Sequence, residues 1–171
     1  MKTAKSNSRN HPGLELFEAT TPEQVRHLMD NAGFMVNDRN ALGQTPLHTH
    51  TDPSIIHAIA DCNADVDAED AFRRSPIHTQ QDPQIIAILL SAGAWHGVRD
   101  LNGQTPLHTQ TDPRNLAQLL DAGADFMLPD YRGVTPLDIH GDTLIQLIAG
   151  QSGTIIPFPV AVEQPEFAEA A

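Results

Sequence analysis

Apolar residues along this chain come in short bursts at a regular interval. Ile85, Ile86, Leu89 and Leu90 fall on one face at helical spacing, and Leu116, Leu119 and Leu120 do so in the next copy. Each burst follows an Asp-Pro pair: Asp52-Pro53, Asp82-Pro83 and Asp112-Pro113. Aspartate suits the N-cap of a helix, and proline suits its first position, where a missing N–H costs nothing. The bursts end on small residues. Gly123 in Ala122-Gly123 supplies a left-handed C-cap, and Asn63 fills the same slot in the first copy. A second helix start lies seven residues earlier, at Thr45-Pro46 and Thr105-Pro106. The pattern predicts a short helix, a tight turn, a second helix and then an extended, hairpin-like finger.

The stretch "GQTPLHTHTDP" at 43–53 returns as "GQTPLHTQTDP" at 103–113, with a looser copy, "RRSPIHTQQDP", at 73–83. Units therefore run over 45–74, 75–104 and 105–134, and a fourth opens with "TPLDIHGD" at 135–142. Upstream, "LELFEATTPEQVRHLMDNAGF" (14–34) fits the same frame, with Leu16 at the Leu47 position and Pro22 at the Pro53 position, although it lacks T-P-L-H.

These residues resemble an ankyrin-repeat protein. The likeness is carried by Thr45-Pro46-Leu47-His48, Thr105-Pro106-Leu107-His108, Gly93-Ala94, Ala122-Gly123-Ala124-Asp125 and the run from Asp130 to Leu137. It implies an all-α solenoid of about five helix-turn-helix units with hairpin-like fingers, near 14–44, 45–74, 75–104, 105–134 and 135–150. Units of that family run to about 33 residues, and the three missing here lie between T-P-L-H and the second helix. That is close to one turn at about 3.6 residues, so the first helices are expected to be stubby. Residues 1–13 are expected to form a flexible tail. In 151–171, Pro157, Pro159 and Pro165 forbid a continuous helix. The apolar Ile155, Ile156, Phe158, Val160 and Val162 predict a segment partly packed on the last unit, or else a docking strip, with "EQPEFAEAA" mobile.

His48, His78 and His108 stand at a constant interval, which invites a metal or catalytic reading. Stacked units sit about 10 Å apart, the spacing of packed helices, whereas zinc ligands must converge to about 2 Å from one ion. No unit surrounds its histidine with a nucleophile and an orienting carboxylate. The resemblance implies instead that this histidine ties helix, turn and neighbouring unit together by hydrogen bonds. Neither a metal nor another cofactor is expected. His50, Gln80, Gln110 and His140 occupy the slot two residues on, which is expected to face the concave side and contact a partner. His57 and His96 are expected to be incidental, and Cys62 to be a small packing residue.

Charge narrows the partner. The chain of 171 residues carries 22 acidic and 10 basic side chains, a net −12. Nucleic acid and anionic membranes call for positive surface, so neither is expected as a partner, and a basic protein is. With one cysteine, no intrachain disulfide can form. No run of apolar residues is long enough to span a membrane, and "MKTAKSNSRNHPG" is not expected to act as a secretory signal. The only lysines are Lys2 and Lys5.

Stacking places each unit's apolar face inside, so recognition falls to the fingertips and the concave face. Arg39, Glu69, Arg99 and Pro129 form one column of the fingers. Ala41, Ala71, Leu101 and Tyr131 form the next, and Leu42, Phe72, Asn102 and Arg132 another. Together with Arg73 and Arg74, the apolar and arginine members resemble the composition of interface hot spots. Trp95 either packs between fingers or anchors a partner. The expected function is a non-enzymatic protein-binding module, monomeric when free. It reads as a small bacterial cytoplasmic protein that blocks a basic toxin or enzyme, as an immunity protein does. The alternative is an effector delivered into a host cell, to which the near-absence of lysine would be suited.

Overall fold

The computed structural model describes residues 12–32 and 36–152, and among them every regular element is helical. A 3-10 helix, Pro12–Glu18, precedes α1 (Pro22–Ala32), α2 (Pro46–Thr49), α3 (Pro53–Asp61), α4 (Pro76–Thr79), α5 (Pro83–Ser91), α6 (Pro106–Thr109), α7 (Pro113–Asp121) and α8 (Pro136–Ser152). Every one of these α-helices opens on a proline. Its fixed φ suits the first helical position and its absent N–H leaves nothing unpaired there. The caps work as the pattern predicts: the carboxylates of Asp52, Asp82 and Asp112 accept from the N–H of Ser54, Gln84 and Arg114 at 2.7–2.8 Å.

Helices α2, α4 and α6 have four residues each, so the expected stubby first helix is what forms. The helices pack in two files. Helix α1 packs on α3, α3 on α5, α5 on α7 and α7 on α8, while α2 packs on α4, α4 on α6 and α6 on α8. One apolar core runs between the files from Leu16 to Leu144, with Leu47, Ile77 and Leu107 from the short helices meeting Ile56, Ile59, Ile86, Leu89, Leu116 and Leu119 from the long ones. Leu90 and Leu120, expected on the same face, are half-buried at its margin.

One expectation is corrected. The fingers are not extended hairpins, and among the described residues they contain no strand. Each is a tight turn closed by two backbone bonds, as from the Asp70 N–H to the Arg74 carbonyl and from the Arg73 N–H to the Asp70 carbonyl, both at 2.9 Å. The last unit also divides into two helical stretches, because the backbone of Gly141 (φ 11°, ψ −95°) is not helical and breaks Pro136–Ser152 there; Thr143 stands where Pro53, Pro83 and Pro113 stand. The expectations for residues 1–11 and 153–171 lie outside the described residues.

Candidate interaction surface

The histidines of the short helices act inside the scaffold. His48 Nδ1 accepts from the Thr45 N–H at 3.1 Å and lies 2.9 Å from its hydroxyl, while Nε2 donates to the Arg74 carbonyl at 2.9 Å. His78 repeats this with Ser75 and Gln104, and His108 with Thr105 and Val134. Since Nδ1 must keep its lone pair to accept, all three rings are neutral with the proton on Nε2. Burial pushes their pKa values down, against the opposing pull of the accepting carbonyls. Asp138 takes this place in α8 and accepts from the Thr135 N–H at 2.8 Å. Among the described residues, no three of His, Cys, Asp and Glu come together as metal ligands would.

The polar slot two residues on is not a contact surface, which corrects the expectation for His50, Gln80 and Gln110. All three are buried. Gln80 Nε2 donates to the carbonyls of Leu47 and His50, both at 2.8 Å, and Gln110 Nε2 to those of Ile77 and Gln80, at 3.0 and 2.8 Å. His50 bonds the Leu16 carbonyl at 2.7 Å. The physical reason lies in the lost turn. A four-residue helix leaves its terminal carbonyls without intrahelical donors, and the next unit's glutamine supplies them. Asn115 extends the ladder, donating to the Gln81 carbonyl and to Gln110 Oε1 at 2.8 and 2.7 Å. His140 in the same slot is half-buried, and its Nε2 has no hydrogen-bond partner.

What remains on the outside is a ridge of finger turns. Leu42 (53 % exposed), Phe72 (49 %), Leu101 (54 %) and Tyr131 (66 %) project from successive turns. The turns are joined by the N–H groups of Ala71, Leu101 and Tyr131, which donate to the carbonyls of Leu42, Phe72 and Asn102 at 3.0–3.1 Å. The Tyr131 ring lies over Gly103, where a Cβ would meet its Cδ1 at 2.6 Å.

The arginines beside the ridge mostly brace it. Arg39 donates to the carbonyls of Gly43 and Glu69, and Arg99 to those of Gly103 and Pro129, so each clamps its own turn to the next. Arg74 and Arg132 bond the carboxylates of Asp70 and Asp130 at 2.7 and 3.0 Å. Burial would raise these two acids, yet their bonds to arginine and to backbone N–H groups outweigh it and hold both below the usual range. Arg73 pairs with Glu69. Two guanidiniums also lie over the ridge aromatics, Arg74 on Phe72 at 4.9 Å and Arg99 on Tyr131 at 5.3 Å. The pairings were not evident from the sequence, although an arginine four residues from an acid or a glycine in two copies was a usable signal.

Trp95 does not pack between fingers. It is 59 % exposed at the base of its connector, with its ring against Gly97. No helix among the described residues is long and apolar enough to cross a membrane. Comparison with protein-family models and with curated proteins finds no match.

Proposed function

We propose that this chain is an ankyrin-type repeat protein with shortened units whose task is to bind another protein. The observation that carries the reading is the ridge of Leu42, Phe72, Leu101 and Tyr131. Four large apolar side chains stand in solvent on turns that backbone bonds and arginine clamps hold in register. Contiguous exposed apolar surface on an ordered scaffold is the usual mark of a protein contact, and aromatics beside arginines are typical anchors of one. The reading is non-enzymatic, and the acidic balance of −12 suits a basic partner. A small bacterial cytoplasmic protein that blocks such a partner, as an immunity protein or toxin inhibitor does, fits these features. The two lysines, both within the first five residues, favour a second reading as an effector acting on host proteins.

Affinity capture with the intact chain, set against a chain carrying Phe72→Ala, Leu101→Ala and Tyr131→Ala, tests the ridge. Arg74 is left in place because its removal would strand the buried Asp70 carboxylate. A single captured protein lost with the triple change supports the reading; capture that survives all three changes rejects the ridge.

A further inference from the structure

The bases of the connectors form a second edge, away from the finger turns, with a different composition. Segments 61–68, 91–98 and 121–128 contain no lysine or arginine, while they carry Asp61, Asp65, Asp67, Asp121 and Asp125. Side chains tie this edge together: Asn37 Oδ1 accepts from the Asp65 N–H at 2.8 Å, and Asp67 Oδ1 from the Trp95 N–H at 2.9 Å. The next tie in the series is missing, because Gly97 stands at the position of Asn37 and Asp67. A Cβ on Gly97 would lie 3.0 Å from Cε2 and Cζ2 of Trp95, so the ring rests where any other residue would displace it. Here the connector bases have no side-chain tie of this kind, and an exposed tryptophan is seated there instead.

Asp65, Trp95 and Asp125 occupy the same position in three successive units. Both carboxylates are exposed and oriented, Asp65 by the Asp67 N–H at 3.1 Å and Asp125 by the Met127 N–H at 2.8 Å. Met127 adds an exposed apolar side chain beside Asp125. The order along the edge is therefore carboxylate, indole, carboxylate, at the spacing of packed helices, about 10 Å. A cation is attracted both to carboxylates and to the face of a tryptophan ring. An extended peptide advances about 3.3 Å per residue, so about three residues separate successive positions on the edge.

We infer that the Asp65–Trp95–Asp125 edge docks an extended basic segment of a protein partner, with lysine or arginine at every third residue. This rests on the reading of the chain as a binding module and uses a face separate from the ridge.

Trp95 is the chain's one tryptophan, so its emission reports directly on the edge. The full chain is titrated at low salt with a synthetic peptide carrying arginine at every third residue and alanine between. A second peptide has the same composition with its arginines adjacent, and a third has glutamine in their place. The expected result is a saturable change in Trp95 emission with the first peptide, affinity at least about fivefold weaker for the second, and no response to the third. Asp65→Asn with Asp125→Asn weakens the first peptide about tenfold or more, whereas Glu15→Gln with Glu18→Gln, an equal loss of charge elsewhere, changes it less than about twofold. The Trp95→Phe chain, followed through the anisotropy of a labelled peptide and checked for an unchanged melting temperature, also binds more weakly. Equal weakening by both charge-altered pairs, or an unchanged emission at saturation, overturns the proposal. The ridge variant with Phe72→Ala, Leu101→Ala and Tyr131→Ala keeps the emission response, which separates failure of this edge from failure of the ridge.

Discussion

His78 ties the start of its unit to its end at Gln104: its Nε2 donates to that residue's backbone carbonyl at 3.1 Å while its Nδ1 accepts from the Ser75 N–H at 3.2 Å. The ring can do both only when neutral. His48 and His108 hold the same pair of bonds.

Stability is therefore expected to fall with acid. Each folded-state pKa is lowered from the ordinary 6.5, so the unfolded chain takes up protons first. The contribution is fully present above pH 6.5 and is lost as pH falls from there towards the folded values. Urea midpoints measured from pH 8 to pH 5 should drop below pH 6.5. A chain with His78→Gln should be less stable at pH 8 and show a shallower drop.

Removing a rung of the glutamine ladder should be costly. Gln110→Met keeps the volume and leaves the carbonyls of Ile77 and Gln80 without their donor. A loss of about 1–3 kcal/mol in urea unfolding is expected, the usual consequence of unpaired buried polar groups. A change within experimental error would show that the bonds contribute nothing net.

Two residues hold left-handed backbone where sister units have glycine. Asn63 has φ 63° in the slot of Gly93 and Gly123, and Arg73 has φ 59° in the slot of Gly43, Gly103 and Gly133. Asn63→Gly should stabilise the fold by about 0.5 kcal/mol, relieving the Cβ strain less the entropy glycine loses. Arg73→Gly should also raise the melting temperature despite losing the exposed pair with Glu69.

Gly103 and Gly133 have similar φ, 77° and 84°, but different surroundings. A Cβ on Gly133 meets nothing within 4 Å, whereas one on Gly103 meets the Tyr131 ring. Gly133→Ala should cost about 1–2 kcal/mol, and Gly103→Ala roughly 1 kcal/mol more. Adding Tyr131→Ala to Gly103→Ala should return the two glycine sites to the same value, as a double-mutant cycle would read it.

Local signals carried most of the fold into the sequence. Proline at each helix start, aspartate caps and the apolar bursts name their own elements, because each acts within four residues of itself. The side-chain ladder was not legible in that way. Gln80 and Gln110 look like surface residues by type, and their burial follows only from carbonyls that another unit's short helix leaves open. The clue available was the recurrence of one amide in one slot, where a solvent-facing position has no reason to repeat. Leu42, Phe72, Leu101 and Tyr131 were readable as ridge residues because they fall in turns between glycine-bearing positions. Arg39 and Arg99 looked equally free, yet a guanidinium beside a row of turn carbonyls binds them first.

The bonds that recur between units connect residues 28, 29, 30 or 33 positions apart at each junction where they occur. The chain thus behaves like a ruled tape with a single permitted increment. A copy of residues 75–104 inserted after Gln104 would find every rung waiting for it, and the tape would simply lengthen. One extra residue inside Pro83–Ser91 would leave the neighbours on either side reaching for the wrong atoms. Growth by whole units is open to this protein and growth by single residues is not.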